Sequence, residues 1–173
     1  MTAAHSSGEP PEHLRFARYV TALETVAEDE EAHLVTKVLR DTDTRMATSA
    51  VVRHLDRRAA ALLTGERFVD WVRVMAGLTS EHPFLQLRLD DWARLRTVVL
   101  DQAWAAEELT TASDWLQRSI VNTTAVVPPE ALRLLAARGR TRRVRAAART
   151  RLSCVVTHDR GSGTNGAGPS VFE

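Results

Sequence analysis

Apolar residues recur at intervals of three and four positions along most of the chain, which is the repeat of an amphipathic α-helix. The first periodic stretch starts at Pro11 and contains Leu14 and Leu23, and the pattern continues to about Val156. Alternation with a period of two, which marks a half-buried strand, is nearly absent. The pattern predicts eight helices, at about residues 11–26, 29–40, 44–63, 66–78, 83–101, 105–122, 129–138 and 141–154.

Residues with strong backbone preferences mark the ends of these helices. The polar run at residues 41–44 supplies side-chain oxygens that can cap a helix, and Gly65 can take the left-handed conformation that closes one. Pro83 and Pro129 fit the first turn of a helix, where the missing amide donor costs nothing. The sequence therefore predicts an all-α fold.

The periodic part, residues 11–156, is long enough to form one domain, because a domain of this size buries about 70% of the surface of its unfolded chain. Residues 1–10 precede the first helix, and residues 157–173 are rich in glycine without apolar periodicity. Such segments bury too little apolar surface to offset the entropy of ordering them. We therefore expect a single helical domain between a disordered N-terminus and a disordered Gly-rich tail.

Charge adds a second feature, because the net charge of +1 conceals a gradient. Residues 1–31 hold two arginines and seven acids, whereas residues 130–173 hold nine arginines and three acids. Clustered charge creates a local field that the net charge hides, so the C-terminal end favours an acidic partner or a polyanion. A coding bias toward GC-rich codons is an alternative explanation, because it favours arginine over lysine. Lys37 is the only lysine among 23 basic residues.

The C-terminal arginines are the candidate partner-binding residues. On the helix expected at 141–154, Arg142, Arg145 and Arg149 are spaced three and four apart and form one stripe, and Arg143 lies beside it in sequence. Arginine presents a planar fork that suits carboxylate and phosphate, so the expected partner is another protein, with nucleic acid as the alternative. An ordinary solvated helix face would show the same stripe, and the oligomeric state stays open.

No pattern typical of catalysis or cofactor binding is present. The six histidines form no pair at a zinc-binding spacing, the glycines at 161–168 lack the lysine of a phosphate loop, and no serine lies in a Gly-x-Ser-x-Gly elbow. Cys154 has no second cysteine and is expected to be a small core residue, with an exposed thiol of no set purpose as the alternative. The acidic run 28–31 falls at a helix start, where the helix dipole stabilises negative charge. We therefore predict no metal, no cofactor and no catalytic residue, and an enzyme stays an open alternative.

The chain gives no indication of membrane insertion or export. Its longest unbroken apolar run, residues 59–63, is far shorter than the roughly 20 residues that cross a bilayer. Residues 1–10 contain neither the basic segment nor the apolar stretch of a secretory signal. We expect a cytoplasmic protein without a membrane partner.

An aspartate followed by a tryptophan occurs three times in the middle of the chain, at residues 70–71, 91–92 and 114–115. This spacing is about one helix plus one turn, so the three tryptophans are expected at equivalent depths in successive helices. Burial in the core is the simpler interpretation, because tryptophan contributes a large apolar area. A pocket built from tryptophan and aspartate is the functional alternative.

Two segments share one pattern of helix, tight polar turn and second helix. Residues 32–55 read AHLVTKVLRDTDTRMATSAVVRHL, and residues 129–152 read PEALRLLAARGRTRRVRAAARTRL. Each second helix opens with an apolar residue, Met46 or Val144, followed by small residues that allow close helix approach. Such a pair of helices cannot cover its own apolar faces, so neighbouring helices must stack against it.

This arrangement resembles the HEAT repeat, whose turn carries an acid and whose second helix opens with Val-Arg and small residues. Residues 144–148 match that opening, and Asp41 or Asp43 matches the turn acid. The first segment has Ala47 in place of the arginine, and the second has residues 139–141 in place of the acid.

The resemblance implies a short HEAT-like α-solenoid that acts as a non-catalytic protein-interaction or scaffold module. A nucleic-acid-binding helical-repeat protein that uses the C-terminal arginines is the alternative. A third possibility is an enzyme, because some HEAT-like proteins, including alkylation-repair DNA glycosylases, combine tryptophan, aspartate and arginines on a concave face. Fold analogy alone does not select among these functions.

Overall fold

The computed structural model describes residues 11–161, with side chains from Leu14 to Cys154. Its described residues form helices joined by turns and no strand, which confirms the predicted all-α class. Its helices are α1 (Pro11–Thr25), α2 (Glu28–Leu39), α3 (Thr44–Leu62), α4 (Phe68–Leu78), α5 (Pro83–Val99), α6 (Ala106–Thr111), α7 (Asp114–Asn122), α8 (Pro129–Arg138) and α9 (Arg142–Gly161).

Nine helices occupy the described residues instead of the predicted eight, because the helix expected at 105–122 is divided. Ala112 leaves the helical conformation with ψ near 159°, and the Ser113 side chain accepts a hydrogen bond from the backbone N–H of Leu116. A serine that satisfies a free amide in this way starts a new helix. Apolar periodicity continues across the break and therefore concealed it.

The C-terminal helix ends later than its periodicity predicted. Helix α9 continues to Gly161 and so includes residues 157–161 of the segment expected to be disordered. Residues 1–10 and 162–173, for which disorder was also predicted, lie outside the described residues.

The chain forms two compact units, with the boundary after Ala93. Unit 1 contains α1 to α4 and the first part of α5, and unit 2 contains the rest of α5 and α6 to α9. Unit 1 has 11 basic and 15 acidic residues, whereas unit 2 has 12 basic and 7 acidic residues. The charge gradient along the sequence is therefore a difference between two units, one of charge −4 and one of charge +5.

Unit 1 is built around α3, which packs against α1 and α2, while α4 packs against α2. Its core is made of fully buried aliphatic and aromatic side chains that recur at helical spacing along these elements. They include Leu23, Val35, Val38, Val51, Leu55, Phe68 and Met75.

Unit 2 is built on the α8–α9 hairpin, against which α6 and α7 pack. Gln117 is fully buried among its aliphatic residues. The Gln117 amide nitrogen donates to the carbonyl oxygen of Leu109 at 2.8 Å, and the Gln117 amide oxygen accepts from the backbone N–H of Arg140 at 2.7 Å. One neutral side chain thus connects the end of α6 to the α8–α9 turn.

The turns of the two repeat-like segments are closed by similar local bonds. The Asp43 carboxylate accepts from the backbone N–H of Met46, and the Thr141 hydroxyl accepts from the backbone N–H of Val144. In each segment the second helix is therefore capped three residues before its first buried apolar side chain. The turn acid Asp41 bonds to the Tyr19 hydroxyl at 2.7 Å rather than to an arginine.

None of the helices within residues 11–161 combines the length and the hydropathy that crossing a membrane requires.

Candidate functional site

The predicted arginine stripe on α9 is only partly a surface feature. Arg142, Arg143 and Arg149 are exposed, whereas Arg145 is half-buried and its Nη1 donates to the carbonyl oxygen of Gly139 at 2.6 Å. Arg145 follows the fully buried Val144 and lies at the edge of the buried face. The structure therefore keeps three of the four predicted arginines at the surface and uses the fourth to close the turn.

Two further arginines extend the exposed group to the α8–α9 turn. Arg138 ends α8, Arg140 lies in the turn, and both are exposed. Among the described residues, no acidic side chain forms an ion pair with any member of this group. We call it the arginine surface, and its members are Arg138, Arg140, Arg142, Arg143 and Arg149.

The turn that carries the arginine surface has a fixed shape. A Cβ atom added to Gly139 would lie 2.5 Å from the Leu135 carbonyl oxygen and 2.8 Å from Cγ1 of Val144. Only glycine allows this approach of α8 to α9. Gln117, which accepts from the Arg140 N–H, and Arg145, which donates to the Gly139 carbonyl oxygen, connect this turn to α7 and α9.

Three other arginines of unit 2 have partners within the fold. Arg118 pairs with Asp114 at 3.0 Å and Arg133 pairs with Glu130 at 2.8 Å, each within one turn of its own helix. Arg151 is half-buried, and its guanidinium donates to the carbonyl oxygens of Ile120 and Ala125. Burial lowers the pKa of Arg151 from its ordinary value. The guanidinium groups of the arginine surface differ from these three in having neither an ion pair nor a hydrogen bond to any described residue.

A second polar cluster, which the sequence did not reveal, lies inside unit 1. Glu31 is buried, and its Oε1 accepts from Nε2 of His54 at 2.7 Å, from Nε of Arg58 at 3.1 Å and from the Trp71 indole nitrogen at 3.0 Å. Its Oε2 accepts from Nη2 of Arg58 at 3.2 Å. We call these four residues the buried carboxylate cluster.

The buried carboxylate cluster is charged at neutral pH. Burial alone raises the pKa of Glu31, but hydrogen bonds from His54, Arg58 and Trp71 outweigh it and lower the pKa to about 2. The Nδ1 atom of His54 lies 3.0 Å from the Leu23 carbonyl oxygen, so both ring nitrogens face oxygen acceptors. The Nη2 atom of Arg57 donates to the same Leu23 carbonyl oxygen at 2.7 Å.

One signal for this cluster was present in the sequence. Glu31 precedes Val35 and Val38 by four and seven positions, so it lies on the apolar face of α2. The interpretation of residues 28–31 as helix-dipole acids suits Asp29 and Glu30, which are exposed, but it does not account for the buried Glu31. A charge at an apolar position of the helical period indicates a buried partner.

The expected equivalence of the three tryptophans is wrong. Trp71 and Trp92 are buried, but Trp115 is only half-buried. Each buried indole N–H donates to a carboxylate from an earlier helix, Trp71 to Glu31 and Trp92 to Asp56 at 2.7 Å. The aspartates beside the tryptophans in sequence do not supply these acceptors, because adjacent residues point to different sides of a helix.

Cys154 is exposed, so the expectation of a small core residue is wrong. It follows Val144 by ten positions, a rotation that turns it away from the buried face of α9. Within the described residues, no three His, Cys, Asp or Glu side chains are grouped so that they could hold a metal ion.

No protein-family model, no curated protein and no solved structure matches this chain.

Proposed function

We propose that this chain is a non-catalytic HEAT-like interaction module that binds an acidic surface of another protein through the arginine surface. The observation that carries this proposal is the group of exposed arginines, which no described acid neutralises, in a unit of charge +5. Guanidinium groups pair with carboxylates through a rigid fork, and an uncompensated cluster attracts an acidic partner over a distance.

The repeat-like segments support the HEAT-like part of the proposal. Residues 32–55 and 129–152 each form two helices joined by a short turn, with the second helix capped in the same way. Small residues of both second helices, Ala47 and Ala50 in α3 and Ala148 in α9, are buried against neighbouring helices. The resemblance to HEAT repeats implies a binding scaffold.

A glutamate-rich peptide with a fluorescent label tests the proposal by anisotropy. The site variant R142Q/R143Q/R149Q is compared with R18Q/R45Q/R94Q, which removes the same charge from exposed positions elsewhere. We expect the site variant to bind about tenfold more weakly, because each exposed ion pair contributes about 0.2 to 1 kcal/mol. The matched variant should bind the peptide as tightly as the unmodified protein does. Equal loss of affinity in both variants would show that binding depends on net charge and not on the arginine surface.

Duplex nucleic acid is the second candidate. Arg142 and Arg149 lie seven residues apart on the exposed side of α9, about 10 Å along the helix axis, where both can contact phosphates. A labelled duplex in the same titration distinguishes the two candidates. Tighter binding to the duplex than to the peptide, with a steep fall in affinity as salt rises, would favour nucleic acid.

A further inference from the structure

A cavity of about 380 Å³ lies between α2 and the end of α4 in unit 1. Its apolar lining includes Ala32 and Leu78, which are both half-buried. His33, Lys37 and Arg40 also line it, and no acidic residue is among its lining residues. The volume lies within the range of roughly 300 to 1,000 Å³ that is usual for small-molecule sites.

The basic lining residues share one side of α2. His33 precedes Lys37 by four positions and Arg40 by seven, which is the spacing of a single helix face. Arg40 follows the last residue of α2 but keeps right-handed helical backbone angles, with φ near −83° and ψ near −1°, so it continues this face. All three residues are exposed, and an incoming ligand can therefore reach them.

Lys37 and Arg40 have no counter-charge within the described part of the fold. Neither side chain forms an ion pair or a hydrogen bond with a described residue. Asp41, the next residue along the chain, accepts instead from the Tyr19 hydroxyl and from the backbone N–H of Asp43. The ammonium and guanidinium groups at the cavity thus keep their N–H donors for a ligand.

The cavity differs in the sign of its charge from the unit that contains it. Unit 1 holds four more acids than bases, and its carboxylates form ion pairs with several of its arginines. These paired arginines are Arg53, Arg58, Arg67, Arg73 and Arg88. Because no such carboxylate lines the cavity, the charges of Lys37 and Arg40 make it locally positive.

We propose that this cavity binds a small organic anion, a carboxylate or phosphate group with a short alkyl chain. The Arg40 guanidinium presents parallel donors that match either head group, and Lys37 supplies a second positive charge. The alkyl chain packs against Ala32 and Leu78, where the burial of apolar surface adds affinity. This site lies in unit 1 and is independent of the arginine surface.

Hexanoate and hexyl phosphate are the probes, with 1-hexanol as the uncharged analogue and hexylammonium as the cation. An NMR titration follows the methyl signals of Leu78 and the ring signals of His33, which belong to the apolar and the basic lining. We expect both anions to shift these signals, and 1-hexanol and hexylammonium to bind at least about tenfold more weakly. Acetate should also bind at least about tenfold more weakly than hexanoate, because it has no chain to bury.

Substitutions of the two cations test their role in recognising the anion. K37Q and R40Q should each weaken hexanoate binding about three- to fivefold and leave 1-hexanol binding unchanged, because only the anion pairs with these groups. R45Q is the matched control, since it removes the same charge from an exposed position of α3 that does not line the cavity. It should bind hexanoate as tightly as the unmodified protein does.

A neutral peptide that contains one leucine and one glutamate forms a further arm, in which the carboxylate belongs to a protein side chain. Tighter binding of this peptide than of hexanoate would overturn the proposal, because the cavity would then accept a segment of a partner. Equal binding of hexanoate and 1-hexanol would also overturn it. Equal weakening of hexanoate binding by R40Q and R45Q would do the same, because net charge alone would then explain the affinity.

Discussion

The two units of this chain accommodate their half-buried arginines by different means. In unit 1, the guanidinium group of Arg58 donates to both oxygens of the Glu31 carboxylate. In unit 2, the half-buried Arg145 and Arg151 donate to backbone carbonyls, and the buried polar side chain is a neutral glutamine. A backbone carbonyl satisfies the hydrogen bond of a guanidinium but leaves its charge in place.

The two units also differ in net charge. Unit 1 holds four more acids than bases, and unit 2 holds five more bases than acids. Among the described residues, the five arginines of the arginine surface have no internal counter-charge, whereas the exposed Arg118 and Arg133 each pair with an acid of their own helix. The following predictions test the difference between the units.

The largest effect is expected from replacing Glu31 by leucine. The variant leaves the His54, Arg58 and Trp71 donors without their acceptor and should lower the free energy of unfolding by about 3 to 5 kcal/mol. Urea denaturation measures this change. The same replacement at the exposed neighbour Glu30 should change it by less than about 0.5 kcal/mol, and equal effects at both positions would contradict the buried carboxylate cluster.

Acid should destabilise the protein through the same carboxylate. The pKa of Glu31 is lowered from an ordinary value of 4.5 to about 2, so its stabilising contribution is complete above pH 4.5 and is lost as the pH falls through 2. The contribution is on the order of 3 kcal/mol. Urea unfolding of the unmodified protein and of E31Q across this range checks it, and parallel pH profiles for the two proteins would refute the assignment.

Replacing Gln117 in unit 2 by leucine should lower the free energy of unfolding by an amount that does not depend on pH. The Leu109 carbonyl and the Arg140 N–H lose their partner, which should cost about 1 to 3 kcal/mol. Since an amide does not titrate, the loss should be constant between pH 2 and 7. The same change at the exposed Gln102 is the control, and a pH-dependent loss in Q117L would remove the contrast between the units.

Gly139 tests the α8–α9 turn beneath the arginine surface, and Gly77 in α4 is the control. Gly139→Ala forces a methyl group against Leu135 and Val144 and should destabilise the protein by about 1 to 3 kcal/mol. Gly77→Ala meets no atom within 4 Å and should stabilise α4 by about 0.5 to 1 kcal/mol. Thermal unfolding of both variants measures the difference, and a tolerated alanine at 139 would show that the turn adapts.

The smallest effect on stability is expected from the arginine surface itself. Replacing Arg142, Arg143 and Arg149 by glutamine removes no internal ion pair among the described residues. The free energy of unfolding should change by less than about 0.5 kcal/mol per site. A larger loss, measured by urea denaturation, would assign these arginines to the fold rather than to binding.

The all-α class and most helix positions could be predicted from periodicity alone, because nearly every helix buries an apolar stripe. The division at Ser113 could not, since a serine inside a periodic segment is compatible with both a continuous helix and a capped break. The roles of Arg145 and Arg151 were equally hidden. Their carbonyl partners are backbone atoms, which every residue carries, so no side-chain pattern in the sequence marks them.

The buried carboxylate cluster shows the same limit in unit 1. Glu31 lies 23 residues from His54 and 40 from Trp71, and only the packing of α2, α3 and α4 brings them together. The sequence showed that Glu31 occupies an apolar position of α2, but it did not identify the partners of Glu31. Four arginines were predicted for the site, and the structure leaves three of them exposed.

The most direct test of the arginine surface as a protein-binding site is affinity purification from extracts of the cells that produce this chain. The unmodified protein, R142Q/R143Q/R149Q and R18Q/R45Q/R94Q are each used as bait, with and without nuclease. We predict a partner that survives nuclease, is retained by the matched variant and is lost from the site variant. Equal recovery with both variants, or loss of the partner after nuclease treatment, would contradict the account.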